Sequence, residues 1–114
     1  MLTDSDKELI LKWAGYRHYI PDDPQTYWIA PNSKDYEAIF EPDLNSLDVL
    51  IKIVDAKTWR FEVQKNITSK WYVNLKSISK DGYPGKWVDD ESDNLVEALQ
   101  NCLLKLAQSE AVND

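Results

Sequence analysis

Apolar positions along the chain recur with a helical period in three stretches and alternate in several others. Leu9, Ile10 and Trp13 form the first stripe, which predicts a helix that buries one face. Ser5 and Glu8 have the spacing of a capping box and place its start at Ser5. Gly15 ends it, because glycine takes the left-handed conformation of a helix terminus without a Cβ penalty. Leu47, Leu50, Ile51 and Val54 predict a second helix capped by Asn45 or Ser46, with Leu44 and Val49 placed for a hydrophobic staple if Asn45 is the cap. Leu95, Leu99, Cys102, Leu103 and Leu106 predict a third, starting near Ser92 or Asp93. Glu97, Gln100, Asn101 and Lys105 fall largely off its apolar stripe, and 109–114 is expected to be a frayed tail.

The alternating stretches predict strands. Residues 27–30 form a short one stopped by Pro31 and Asn32, and 36–40 a weaker one stopped by Pro42. Trp59, Phe61 and Val63 alternate with Thr58, Arg60, Glu62 and Gln64. Trp71, Val73 and Leu75 alternate with Tyr72, Asn74 and Lys76 across a short connection, the pattern of an antiparallel hairpin. Each strand therefore presents one apolar face, and Trp59, Phe61, Trp71 and Val73 are expected to be mostly buried. A turn over 81–85 leads to a third strand at Lys86, Trp87 and Val88. The order of elements is that of an α+β domain with an antiparallel sheet. Aromatic residues on both sides of that sheet and two apolar helices to cover predict an α/β/α sandwich, a sheet between helical layers. With no repeat, linker or composition break, 1–114 is expected to be one domain.

Composition narrows the function. A hydrophobic share of 43% and five tryptophans make a folded globule. With 20 acidic and 13 basic residues, the net charge of −7 repels a phosphate backbone, and no basic run offsets it, so no nucleic-acid partner is expected. The acidity suits a basic protein partner, or serves solubility alone. Neither a basic, apolar leader nor a span of membrane length is present in the sequence, so the expectation is a soluble protein inside the cell, with no membrane partner. Cys102, alone and among leucines, excludes an internal disulfide and behaves as a small core hydrophobe.

Nothing in the sequence assembles a catalyst. His18 is the lone histidine, no serine lies in a nucleophile-elbow motif, and three glycines cannot build a phosphate loop. No catalytic residue, cofactor or metal site is expected. Asp89, Asp90, Glu91 and Asp93 loosely follow a calcium-loop spacing but lack its central glycine and terminal glutamate; acidic residues before a helix favour its positive N-terminal end. The rings that remain are the candidates for binding. Tyr16, Arg17, Tyr19, Trp28 and Tyr72 could line a pocket or contact patch, because Trp, Tyr and Arg dominate interface energies. Packing of corners is the competing explanation.

Trp13-Ala14-Gly15 after an opening helix, Trp28, Pro42 before a capped helix, Trp71-Tyr72-Val73, and a terminal helix carrying Ala98, Cys102 and Leu103 occur in that order over nearly the whole chain. This arrangement resembles the phage ABA-sandwich domain family. Glu41 stands where that family tends to have an apolar residue before the proline. The resemblance implies a small phage or prophage protein with an antiparallel sheet between helical layers, acting in the host cytoplasm. It implies no reaction and supplies no catalytic residues. The expected function is that of a non-catalytic accessory protein binding a host or phage protein, for example as an acidic inhibitor of a host defence or replication protein. Two alternatives are sequestration of a small anionic, nucleotide-like ligand by the aromatic and Arg17 cluster, and a structural or assembly role in the virion.

Overall fold

The computed structural model describes residues 2–18, 27–30, 38–40, 42–78 and 84–112. Within them lie α1 (Asp4–Trp13), β1 (Arg17–His18), β2 (Tyr27–Ile29), β3 (Ala38–Phe40), α2 (Leu47–Lys57), β4 (Thr58–Lys65), β5 (Trp71–Ile78), β6 (Pro84–Ser92) and α3 (Leu95–Val112). The strands form two antiparallel sheets, β1-β2-β3 and β4-β5-β6. The fold is α+β, with three helices packing against the larger sheet or one another. Tyr19, the turn at 20–26 and the turn at 81–83 lie outside the described residues.

Local chemistry sets the helix ends. Thr3 caps α1 reciprocally: its hydroxyl accepts from the Asp6 N–H, and the Asp6 carboxylate accepts from the Thr3 N–H, each at 3.1 Å. The capping box thus lies two residues earlier than Ser5 and Glu8, on a pair of identical spacing. Gly15, at φ 98°, closes the other end. Its N–H donates to the Lys12 carbonyl and that of Tyr16 to the Leu11 carbonyl, the paired bonds of a Schellman motif. Ser46 occupies the N-cap position of α2, while Asn94 caps α3 by accepting from the Val96 and Glu97 N–H groups. Helix α3 runs on to Val112, further than the tail expected from Ser109, and its last turns are tied down by a bond from the Trp13 indole N–H to Glu110.

Among the described residues the helices pack on one face of the larger sheet. Val73, Leu75 and Ser77 on β5 are buried beneath the helices, in a core shared with Ile10, Leu11, Leu50, Val54, Leu99, Cys102 and Leu103. The opposite face carries Tyr72, Asn74 and Lys76, with their neighbours on β4 and β6, and no helix covers it among the described residues. Aromatic residues on both faces of a sheet signalled two covered faces; the described residues show a helical layer on one of them.

The expected burial of the strand aromatics also changes. Only Val73 is fully buried; Trp59 is 50% exposed, Phe61 43%, and Trp71 is half-buried. The reason for Trp59 is a β-bulge. Thr58 pairs with Ser77 and Arg60 with Lys76, so Trp59 is an extra residue on β4. The Thr58 hydroxyl donates to the Val54 carbonyl at 2.6 Å, holding the strand start under the last turn of α2. Trp59 is thereby turned to the solvent face, away from Phe61 and Val63. Those two keep the inner orientation opposite Leu75 and Val73, but on an edge strand, where α3 packs over β5 and β6.

Candidate functional site

Register aligns the side chains of the uncovered face in rows. Lys76, on the central strand, is opposite Arg60 and the bulged Trp59 on one side and Trp87 on the other. The next row is Glu62, Asn74 and Asp89, and the third is Gln64, Tyr72 and Glu91. Trp87 is 61% exposed, and the Lys76 ammonium lies 5.8 Å from the Trp59 ring centroid, within cation–π range. A second ladder irregularity, between Lys76 and Ile78, leaves an extra residue on β6. There Ser77 donates from its hydroxyl to the Lys86 carbonyl at 3.2 Å. A bulge in each flanking strand therefore lies beside Lys76; the one in β4 turns Trp59 to this face, while Trp87 faces Lys76 in regular register.

The other end of this face is acidic and mutually bonded. The Tyr72 hydroxyl donates to Asp89 at 3.2 Å, and the Asn66 amide to Glu91 at 3.1 Å. Arg60 reaches Glu62 at 2.8 Å on the same strand. The face thus grades from indole and cation at one end to carboxylate at the other.

The run from Asp89 to Glu91 is part of β6, where consecutive residues point to opposite faces; the sequence had it leading into the last helix. Asp90 faces α3, accepting from the Asn101 amide at 3.0 Å and from Lys105 at 3.3 Å. Asp89 and Glu91 project to the other side. Alternation splits the cluster across the sheet.

Of the residues expected to form a pocket, Tyr16, Arg17 and Trp28 lie at the end of α1 and on the adjoining β1–β2 pair, apart from Tyr72. Tyr16 packs against the core after the Schellman turn, and burial pushes its phenol above the ordinary 10.0. Arg17 is exposed on β1 opposite Ile29. Trp28 is only 5% exposed and belongs to the core. Pairing in the small sheet carries its ring inward, against the core. Tyr72 lies on the larger sheet, and Tyr19 is outside the described residues. Trp59, which alternation placed in the core, is half exposed, whereas Trp28 is buried. Lys76 and Trp87 carried no motif; their pairing is set by the long-range register of β5 and β6, and a bulge brings only Trp59 to them. Cys102 is fully buried, its Sγ 3.6 Å from the Val73 carbonyl. Burial first, then Asp90 and Asp89, push its thiol up to about 12 against the opposing effect of Lys105, so it is no nucleophile near neutrality.

No described helix is long and apolar enough to cross a membrane. Comparison with protein-family models, curated proteins and solved structures finds no match to this chain.

Proposed function

We propose that this protein is a non-catalytic binding module whose contact surface is the uncovered face of the β4-β5-β6 sheet, and that its partner is a protein. The observation that carries the reading is the pair of solvent-exposed indoles, Trp59 and Trp87, on either side of Lys76. Exposed tryptophans lose little conformational entropy on contact and bring large apolar area, which is why they anchor interfaces. The carboxylates of Glu62, Asp89 and Glu91 at the other end favour a partner with a basic rim, and the chain's net charge of −7 would speed encounter with it. On this reading the protein is an accessory protein of phage or prophage type whose acidity fits it to occupy a basic surface of a host protein.

Differential capture from host extract tests this. Proteins retained by the wild type should be lost together in Trp59→Ala and Trp87→Ala and kept by Arg17→Ala. Capture that survives both tryptophan changes would overturn the reading. Thermal stabilisation by nucleotides that disappears in Arg17→Ala would instead move the function to the end of α1.

A further inference from the structure

Strand β4 is an edge of the larger sheet: it bonds to β5 on one side, and among the described residues no strand lies on the other. An eight-residue edge offers a row of backbone N–H and C=O groups to any strand that can approach. The inner-facing side chains of this edge are also uncovered, with Phe61 43% and Val63 37% exposed. Edges that must stay single are guarded by like charge, proline or inward-pointing charges. β6 is guarded in this way. An antiparallel copy centred on Asp90 would set Asp90 against itself and Asp89 against Glu91, and Pro84 lacks an N–H.

β4 has the opposite pattern. An antiparallel copy centred on Phe61 sets Phe61 against Phe61 on the helical side. On the solvent side it sets Arg60 of each chain against Glu62 of the other. The 2.8 Å ion pair within each strand already holds these two groups side by side along the edge. The arrangement is complementary to itself under a two-fold axis, the commonest symmetry of soluble oligomers.

We propose that two copies of this chain pair through β4, in antiparallel register about Phe61, to make a continuous six-stranded sheet. The two Phe61 rings cover each other, the Arg60 and Glu62 groups form a four-charge cluster, and the uncovered face doubles in width. The proposal stands apart from the choice of partner protein, since it rests on the backbone edge of β4 with Arg60, Phe61 and Glu62, and Trp87 lies two strands away.

Sedimentation equilibrium of the full chain over roughly 1–300 µM tests it. The wild type is expected to reach twice the chain mass and stop there. Arg60→Glu and Glu62→Arg each place like charges opposite each other at two symmetry-related positions and should weaken association about tenfold. Both positions are surface sites, so the fold should survive, as circular dichroism can verify. The double variant Arg60→Glu/Glu62→Arg restores complementarity and should restore the dimer. Hydrogen exchange gives a readout without substitutions: β4 amides not bonded to β5 should gain protection as concentration rises. A wild type that stays monomeric, a charge-swapped variant that does not recover, a mass that grows without limit, or dissociation by Trp87→Ala in place of the β4 variants would overturn the proposal.

Discussion

The indole N–H of Trp13, at the end of α1, donates to the carboxylate of Glu110 near the end of α3. Lys57, at the end of α2, sits 4.9 Å from the same ring's centroid. One tryptophan therefore joins the last turns of all three helices. Trp13→Phe keeps most of the apolar contact and removes the donor; it is expected to cost about 1–3 kcal/mol, since the bond is partly buried and its acceptor charged. Trp13→Ala should cost about 3–5 kcal/mol. Denaturation midpoints check both values; a Trp13→Phe protein with unchanged stability would mean that the hydrogen bond contributes nothing, and equal losses for the two variants that the ring contact contributes nothing.

The bulge at Trp59 makes a contrast with its buried neighbours on the sheet. Trp59→Ala removes an exposed ring and one cation–π contact, so it should cost about 1 kcal/mol or less. Leu75→Ala opens a cavity under the helices and should cost about 2–5 kcal/mol. Acrylamide quenching of tryptophan fluorescence should fall mainly in Trp59→Ala and Trp87→Ala and stay unchanged in Trp28→Phe.

Gln100 lies on the side of α3 that the sequence assigned to solvent, yet it is buried. Its amide donates to the Leu44 carbonyl at 2.7 Å and to the Asn45 side chain at 3.1 Å, clasping the approach to α2. Gln100→Leu leaves that buried carbonyl unpaired and should destabilise by about 1–3 kcal/mol despite its greater hydrophobicity. Unchanged melting would show that water replaces the amide at no cost.

The Cys102 thiol carries a pH dependence whose sign follows from its shift. An unfolded thiol ionises near 9.0, whereas the folded one holds its proton up to about 12. Between these values the unfolded chain binds fewer protons, so stability falls as pH rises. Tyr16, raised by burial above 10.0, acts in the same direction. Urea midpoints measured from pH 7 to above pH 9 should decline, and Cys102→Ala should flatten the onset. Thiol reagents should react only at the rate of opening; rapid labelling of the native protein at pH 8 would contradict the burial.

The local elements are legible in the residues alone. Gly15 after the Leu9, Ile10 and Trp13 stripe marks a helix end, because no other residue takes a positive φ there as readily. The alternation in 58–65 and 71–78 marks a hairpin, because side chains on a strand point to opposite sides in turn. Tertiary structure decided which faces are covered. An apolar pattern shows that a face can be buried and not whether a helix reaches it; α3 stops short of β4 and leaves Phe61 and Val63 partly bare. Register was likewise beyond the sequence. A single extra residue between Thr58 and Arg60 reverses the direction of Trp59, and the cause lies in pairing with Ser77 and Lys76, some seventeen residues further along the chain. The polar positions of the uncovered face, Arg60, Glu62, Tyr72, Asn74 and Lys76, stand out in the local alternation; which of them line up across the strands, and that Trp59 joins them, is set by long-range pairing.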